Sequence, residues 1–384
     1  MDFSLSKEQK LIQKAAYDYS HHQIKPMVDT IMNTNHIPDE MLMELGELGM
    51  FGIPFPEEYG GGGAGYLDYI LALEQLSSVC PGVGMIISVN TVGLSVIHAL
   101  GTEEQKNYYL PRGMKGKEIF SFAFTEPGTG SDPRQLTTTA RFDGDNFILN
   151  GTKRFISNAG YPGPMVIIAR EEDTDQASAF IIEKFCSGYS LSEKWNKIGA
   201  KGGPLYDVYL NNVEVDQSQL LGQRGQGLWA LKIAMAYGKV GLTGLFLGIA
   251  ASAYEEGRQY AMQKTHRGTP IADKFEHIKI ALADMAMKYE SCRWYAYHLG
   301  WAADTYKDPW QLVKEAALTK VLVAETAVDI CRISMGIHAS YGLMRDYKIA
   351  QLWDDAIMGP QVEGTAPVLK ILAAGILLKD ALPN

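Results

Sequence analysis

Apolar residues recur at helical spacing near both ends of the chain and at alternating spacing between them. Near the N-terminus, Ser6 and Gln9 form a capping box before an apolar face, and Pro26 ends or bends that helix. Further apolar faces predict a helix starting at Pro38 and helices over residues 66–79 and 85–100. Residues 1–118 are therefore predicted to form an N-terminal helical domain.

From Ile119 the pattern changes to short alternating runs rich in β-branched and aromatic residues, which is typical of strands. The dipeptide Asp143-Gly144 suits a tight turn with positive φ, and it predicts a β-hairpin within residues 137–149. Residues 165–170 and 177–183 are predicted to pair, and residues 206–215 form another strand. Residues 119–228 are therefore predicted to form a small β domain, in which the strands close into a barrel.

After Trp229 the helical period returns and continues to the end of the chain. One long run has apolar residues at alternating spacings of three and four, the pattern of a helix-bundle seam. These residues are Phe275, Ile278, Leu282, Met285, Tyr289, Cys292, Ala296 and Leu299. Two further helices are predicted over residues 310–335 and 367–378. Residues 229–384 are thus a C-terminal four-helix bundle, and the fold class is α+β.

The composition narrows the possible partners. The chain has 384 residues, 46% of them hydrophobic, and a net charge of −9 with no long basic stretch, which argues against a nucleic-acid partner. Residues 85–100 fall short of the roughly 20 apolar residues of a membrane span, and the N-terminal residues have no signal-peptide character. Four widely spaced cysteines show no metal-binding pattern, so we expect buried thiols, no metal and a cytoplasmic protein. They are Cys80, Cys186, Cys292 and Cys331.

Two polar, glycine-containing segments flank the predicted hairpin, and we interpret both as turns. The first is FAFTEPGTGSD over residues 122–132, and the second is NGTKRFISNAG over residues 150–160. They bring hydroxyl groups and freed backbone amides close to an aromatic side chain, Phe155. Such a set suits a flat heterocycle with polar edges. Ordinary barrel loops are the alternative, because glycine and serine mark turns in general.

These two segments resemble the middle-domain signatures of the acyl-CoA dehydrogenase family. The pattern TEPxAGSD stands here as residues 125–132, and NGxKxWITNA stands as residues 150–159. The resemblance implies the same order of domains and an FAD bound between the β domain and the bundle. It also implies a neighbouring subunit that completes the site, a homotetramer, an acyl-CoA substrate and an electron-transfer flavoprotein as partner.

The resemblance also assigns site residues. Phe155 takes the place of the family's tryptophan against the flavin ring, and Ser157 keeps the hydroxyl of a usual threonine. Lys239 replaces a usual arginine near the thioester, which keeps the charge but loses the planar fork. The residues expected at the flavin are Phe122, Phe124, Thr125, Ser131, Phe155, Ser157 and Thr365, and those at the substrate are Ser131, Lys239 and Gly364.

Oxidation of a thioester between Cα and Cβ needs a base for the α-proton and a cofactor that accepts a hydride. Glu363 lies in GPQVEGT, where Pro360 and Gly364 force a loop. Taken alone, a glutamate beside a glycine is usually a solvated loop residue. The family's catalytic loop, however, has the pattern YEGT after RDAxI, and Asp355-Ala356 and residues 363–365 match it without a gap. A minority branch places the base on the first bundle helix, but residues 237–239 have no carboxylate. The resemblance therefore assigns Glu363 as the base that removes the α-proton.

The site for the adenine half of FAD departs from the family. Lys264 and Arg267 stand in place of a usual arginine and phenylalanine, and Glu276 stands for a glutamine. The element QxxGGxG appears as GIHASYG over residues 336–342. Three explanations remain open: FAD is held by different contacts, with Lys264 and Arg267 at the pyrophosphate; a different subunit completes each site; or FAD binds weakly or not at all.

We therefore predict an FAD-dependent acyl-CoA dehydrogenase of fatty acid metabolism. Residues 85–95 contain no arginine or lysine, and Gly84 lies where a carboxylate clamp is expected, so the acyl group is predicted to be neutral. One alternative is an enoyl-CoA reductase or an elimination enzyme on the same fold. A second is a flavin-poor, thioester-binding subunit of a hetero-oligomer.

Overall fold

The computed structural model describes residues 4–306 and 309–379, and it begins with a group of helices. The capping box at Ser6 is present: the Ser6 hydroxyl accepts from Gln9 N, and the Gln9 side chain accepts from Ser6 N. A second capping box, formed by Thr102 and Gln105, was not predicted. The helices are α1 (Lys7–Tyr19), α2 (Val28–Thr34), α3 (Asp39–Glu47), α4 (Tyr66–Val79), α5 (Pro81–Leu100) and α6 (Glu103–Gly113).

A single sheet of eight strands follows. The predicted hairpin joins β2 to β3 through Gly144, which has φ +111°. β4 pairs antiparallel with β5, as predicted, and parallel with both β1 and β2. The order along the sheet is β6-β7-β3-β2-β4-β5-β8. The strands are β1 (Ser121–Ala123), β2 (Thr139–Phe142), β3 (Asn146–Ser157), β4 (Pro164–Glu171), β5 (Ala177–Glu183), β6 (Tyr189–Leu191), β7 (Leu205–Asp216) and β8 (Leu220–Leu221).

The interpretation of residues 150–160 as a turn was wrong for residues 150–157, and only residues 158–160 form a turn. Residues 150–157 continue β3 and pair with β7, with breaks in register after Leu149 and after Lys153. Such irregularities let a polar, glycine-containing motif remain in a strand, because the extra residue bends the strand without ending it. Phe155 lies in the second break with φ +59°. The motif is therefore a bulged strand that presents Phe155 away from the sheet.

The chain returns to helices at Gly227. Of the predicted seam, Ile278, Met285, Cys292, Ala296 and Leu299 are buried. Two short helices, α8 and α11, were not predicted. The elements are α7 (Gly227–Gln263), the hairpin β9 (Thr265–His266) and β10 (Thr269–Pro270), α8 (Ile271–Lys274), α9 (Glu276–Thr305), α10 (Pro309–His338), α11 (Lys348–Ala356) and α12 (Ala366–Leu377).

Glycines let α7 of the bundle approach α4 of the N-terminal region closely. A Cβ at Gly244 would lie 2.9 Å from Leu73 Cβ, and a Cβ at Gly248 would lie 2.4 Å from the Glu74 carbonyl oxygen. Both α5 and α7 are long and apolar enough to span a membrane, but 78% and 89% of their most apolar stretches are buried within the protein. They are thus core helices that join the two helical regions around one hydrophobic core.

The prediction of four buried thiols was wrong for one cysteine. Cys80, Cys292 and Cys331 are buried, but Cys186 is partly exposed. Cys186 lies in the connection between β5 and β6, where connecting segments run over the surface.

Candidate active site

A buried ion pair joins the two signature segments. Lys153 of β3 places its Nζ 2.8 Å from Glu126 Oε1 and 3.1 Å from the Phe124 carbonyl oxygen, and both charged side chains are fully buried. The Glu126 carboxylate also accepts hydrogen bonds from the Thr137 backbone N and hydroxyl at 2.7 and 2.6 Å and from Thr138 N at 3.0 Å. The pair therefore fixes the loop after β1 against the strand that carries the second motif.

Both partners of this pair are charged at neutral pH. Burial alone would raise the pKa of Glu126, but the charge of Lys153 and the hydrogen bonds lower that pKa to about 2. Burial lowers the pKa of Lys153 to about 8, and the charge of Glu126 opposes that shift. Each charge is tolerated in the interior because the other is present. Sequence analysis did not assign Glu126 or Lys153 a role, although both are fixed letters of the two patterns.

Next to this pair, hydrogen bonds position two aromatic side chains, Phe155 and Trp195, which together form an aromatic ledge. Arg154 N donates to the Thr125 carbonyl oxygen at 2.7 Å, and the Arg154 guanidinium donates to Asp207 Oδ2 at 3.0 and 3.2 Å. Asp207 in turn accepts from Trp195 Nε1 at 2.9 Å. Trp195 meets the Phe155 ring edge to face, with centroids 5.2 Å apart. Trp195 was not predicted to be part of the site. It lies outside both motifs, so no pattern in the sequence indicated a role for it.

Two of the predicted flavin-site residues adjoin this ledge: the Thr125 carbonyl oxygen accepts from Arg154 N, and Ser157 lies two residues after Phe155 on β3. Phe155 is 50% exposed and Trp195 beside it is 40% exposed, so the two rings form an exposed aromatic surface. Among the described residues, the side-chain hydroxyls of Thr125, Ser131 and Ser157 have no hydrogen-bond partner and are not fully buried. An exposed aromatic face beside free hydroxyls fits the ring of a flavin. Phe122 and Phe124 belong to the hydrophobic cluster behind this surface.

Glu363 lies between α11 and α12 in a strained conformation. It has φ +52°, a left-handed value that is uncommon for a residue with a side chain, and Gly364 follows with φ +93°. Thr365 is the N-cap residue of α12, and its side chain forms no capping hydrogen bond. A hydrogen bond of 2.8 Å from Ala366 N to the Pro360 carbonyl oxygen closes the loop. The loop thus turns the Glu363 side chain toward α7.

The Glu363 carboxylate reaches its position because α7 has a glycine there. A Cβ at Gly238 would lie 2.2 Å from Glu363 Oε1 and 2.8 Å from Oε2. Glu363 Oε2 is buried and has no hydrogen-bond partner among the described residues. Burial raises the pKa of Glu363 to about 7, although Lys239 and Lys320 act in the opposite direction. This is the environment of a carboxylate that can exchange a proton near neutral pH.

Two buried lysines lie near this carboxylate. Lys239 donates to the Met235 carbonyl oxygen of its own helix at 2.6 Å. Lys320 of α10 donates to the carbonyl oxygens of Val362 and Gly364 at 2.6 and 3.1 Å. Burial lowers the pKa of each lysine to about 8, and Glu363 opposes both shifts. Lys320 was not predicted as a site residue. Its signal in the sequence is a single charge between buried apolar positions at helical spacing, Ala316, Val323 and Ala327.

The residues predicted for the adenine half of FAD lie far from Glu363 in the same chain. Lys264 follows the C-terminal end of α7, and Arg267 lies at the tip of the β9–β10 hairpin with φ +52°. From Gly238 to that end, 25 residues of helix span about 38 Å. Lys264 Nζ lies 4.8 Å from the centroid of Tyr341, within the GIHASYG segment. The structure therefore brings the two altered segments together but separates them from the catalytic loop.

Comparison with known proteins assigns the chain to a family. The N-terminal, middle and C-terminal domain models of acyl-CoA dehydrogenases match residues 6–117, 121–213 and 225–377. The chain belongs to the acyl-CoA dehydrogenase family. This membership confirms the predicted family and the prediction of an oxidoreductase that acts on acyl-CoA.

Individual relatives match almost all of this chain. An acyl-CoA dehydrogenase of Bacillus subtilis is 34% identical over 378 residues, covering 97% of this chain and 99% of that protein. The caffeyl-CoA reductase-Etf complex subunit CarC of Acetobacterium woodii is 31% identical, covering 97% and 99%. An acyl-CoA dehydrogenase from Bacillus anthracis, solved in complex with FAD, is 29% identical with a TM-score of 0.91, covering 98% and 68%. The α+β fold is confirmed, and the FAD prediction agrees with that complex.

The buried pair makes a testable contribution to stability. Replacing Glu126 with Gln leaves the Lys153 charge buried without its partner, so we expect a loss of about 3 kcal/mol of unfolding free energy. Urea unfolding followed by circular dichroism measures it. The control is Asp132→Asn, which removes a surface pair with Arg134 in the same loop and should cost less than about 1 kcal/mol. Equal midpoints for the two variants would show that the pair does not hold the segments together.

Proposed function

We propose that this protein is an FAD-dependent acyl-CoA dehydrogenase that oxidises a neutral acyl-CoA thioester between Cα and Cβ, with Glu363 as the base. The observation that carries the proposal is the Glu363 carboxylate itself. Its Oε2 atom is buried and has no hydrogen-bond partner among the residues that the structure describes, it faces a glycine, and its pKa is raised to about 7 by burial. A bound FAD supplies the acceptor for the hydride that leaves Cβ.

The residues of the loop account for the proton transfer. Glu363 takes the α-proton. Burial strengthens it as a base, and within residues 4–306 and 309–379 no hydrogen bond stabilises the charge on Oε2. The thioester carbonyl gains negative charge as the proton leaves and therefore needs donors. The backbone N–H groups of residues 363–365 form no backbone hydrogen bond in the described part of the chain, so donors are available beside the carboxylate.

The position of the flavin follows from the ledge and the free hydroxyls. Phe155 and Trp195 would hold the ring by contact, while Thr125, Ser131 and Ser157 would offer hydrogen bonds to its polar edge. Lys264 and Arg267 lie far from Glu363 of the same chain. This separation supports the expectation that they contact the pyrophosphate of the FAD bound to a second copy of the chain. The contact between Lys264 and Tyr341 supports an altered but organised site over one that has lost FAD.

The direction of the reaction is a separate question. A relative over almost the whole length is a subunit of a caffeyl-CoA reductase-Etf complex, so the same fold serves a reductase there. That relative supports an electron-transfer flavoprotein as partner of this chain and keeps enoyl-CoA reduction as the alternative activity. A cytoplasmic location remains a prediction.

An exposed apolar stripe on α9 supports the homotetramer. Every seventh residue from Ile280 to Trp301 is a large apolar side chain, and a spacing of seven returns to nearly the same face of a helix. These residues and their exposures are Ile280 62%, Met287 62%, Trp294 43% and Trp301 50%. A contiguous stripe of this kind is typical of an interface.

The stripe gives a test of assembly. The double substitution Ile280→Lys, Met287→Lys places two charges in the proposed interface and should reduce the mass measured by light scattering to that of a smaller species. Leu11→Lys on α1, where the native side chain is 67% exposed, is the matched control and should leave the mass unchanged. A wild-type protein that is monomeric would contradict the homotetramer.

The activity is tested by visible absorption of the purified protein during anaerobic addition of acyl-CoA thioesters. A flavin spectrum that bleaches with one saturated thioester supports dehydrogenation. A flavin that bleaches only with an added reductant, and is then reoxidised by an enoyl-CoA, supports the reductase. Glu363→Gln should keep the flavin spectrum but lose turnover by about 10²–10⁴-fold, the contribution of a general base.

Two results would decide against the proposal. Turnover in Glu363→Gln equal to that of the control Glu325→Gln, a surface carboxylate paired with Lys370, would exclude Glu363 as the base. A protein that stays colourless after FAD is added would favour the subunit that needs a partner.

The rate should depend on pH in a defined direction. Glu363 acts as a base only when ionised, and burial raises its pKa to about 7. We therefore expect kcat/KM to rise tenfold per pH unit below about 7 and to level off above it, since a single group is titrated. The measurement is a pH profile with a saturating electron acceptor. If the rate instead falls only below about pH 4.5, the ordinary pKa of glutamate, the base would be a solvated carboxylate and not the buried Glu363.

A further inference from the structure

One buried ammonium contacts both residues that flank Glu363. The Lys320 side chain on α10 is fully buried, and its Nζ donates to the Val362 carbonyl oxygen at 2.6 Å and to the Gly364 carbonyl oxygen at 3.1 Å. These are the carbonyls immediately before and after Glu363 in the chain. A side chain from a different element therefore ties down the backbone of the catalytic loop on both sides of the base.

The loop needs such a restraint because its backbone is strained. A left-handed conformation costs a residue with a side chain on the order of 1–2 kcal/mol, and Glu363 adopts it with φ +52°. Gly364 continues with φ +93°, and a Cβ there would lie 2.8 Å from Leu369 Cδ2. Conformations of this kind persist only where the surrounding structure holds them.

We propose that Lys320 is a positioning residue for the reaction: its ammonium holds the carbonyls of Val362 and Gly364 and so aims the Glu363 carboxylate at the space opposite Gly238. The inference rests on the proposed role of Glu363 as the base. Lys320 itself touches neither the substrate nor the cofactor in this account. It acts through the conformation of the loop and through its charge.

The charge of Lys320 has a second effect on the same carboxylate. Three groups from three elements face Glu363: Lys320 from α10, Lys239 from α7 and the Tyr69 hydroxyl from α4. Burial raises the pKa of Glu363, and the two lysines lower it. The charge of Lys239 lowers the pKa of Lys320, and the charge of Glu325 raises it. Loss of Lys320 should thus raise the pKa of Glu363 and move the acidic limb of the rate to higher pH.

Lys239 is the natural comparison because it shares the charge but not the contacts. Its Nζ donates to Met235 of its own helix and not to the loop. Lys239→Met should therefore move the titration of Glu363 without releasing the loop. Lys320→Met should do both. A residue that only supports the fold would lower stability and leave the titration of Glu363 where it is.

The experiment compares Lys320→Met, Lys320→Arg and Lys239→Met in the FAD-loaded protein, with Lys370→Met as an exposed control on α12. Glu363 is titrated directly by carbon-13 NMR of glutamate-labelled protein, in which its signal is identified by its loss in Glu363→Gln. The rate at the alkaline plateau is measured on the same samples.

The expected results separate the two effects. Lys320→Met should raise the titration midpoint of Glu363 by about one pH unit, as expected for loss of a nearby opposite charge. It should also lower the plateau rate at least about tenfold, since the base is misdirected. Lys320→Arg should retain the midpoint and restore part of the rate. Lys239→Met should also raise the midpoint, and its rate is not used for comparison because Lys239 is itself expected at the thioester. Lys370→Met should change neither the midpoint nor the plateau rate.

Several outcomes would overturn the proposal. One is a Lys320→Met protein whose midpoint and plateau rate equal those of Lys370→Met. If Lys320→Met does not fold, Lys320→Gln keeps a donor without the charge, and an unchanged midpoint in that variant would overturn it as well. If neither variant folds, Lys320 is a folding residue only. If the wild type turns over no thioester, the proposed function fails. The NMR titration still shows whether Lys320 changes the titration midpoint of Glu363, so the two failures can be told apart.

Discussion

The buried contact between Lys153 and Glu126 is the constraint on which the site depends. A charged lysine and a charged glutamate without access to water are stable only as a pair. Each side chain loses its hydration, and the charge of its partner compensates for that loss. The pair also binds the Phe124 carbonyl and two threonine N–H groups, so it fixes three backbone groups around one spot. The strand that carries Phe155 and the loop that carries Thr125 are held in register by it. The surface offered to a flavin ring is thus built on an interaction that the flavin never touches.

Much of the fold follows from local patterns in the sequence. The capping box at Ser6 and the turn at Asp143-Gly144 each correspond to an element of the structure, because each depends on interactions within a few residues. The apolar seam of α9 could be predicted because its spacing follows the period of a helix. The second signature motif was misread for the opposite reason. Glycine and asparagine favour turns locally, but pairing with β7 along most of its length keeps residues 150–157 in a strand. That pairing joins distant segments, and no local pattern records it.

The candidate site divides in the same way. Glu363 could be assigned only because its loop resembles a family pattern, since a glutamate beside a glycine carries no chemistry on its own. The features that make it a base are tertiary: the glycine on α7, the absent hydrogen-bond partner and the lysine on α10 come from elements that are far apart in the chain. Lys320 did leave a signal, as a charge on an otherwise apolar helical face. Such a residue needs a partner inside the protein, and the partner here is the catalytic loop.

The glycine opposite the base also limits how this site can change over time. Any side chain at position 238 would enter the volume that the Glu363 carboxylate occupies, starting with the first carbon. The atoms that a new side chain would meet are the carboxylate oxygens themselves, at the end of the Glu363 side chain. A substitution at position 238 would therefore displace the base directly, although the substituted residue lies on another helix.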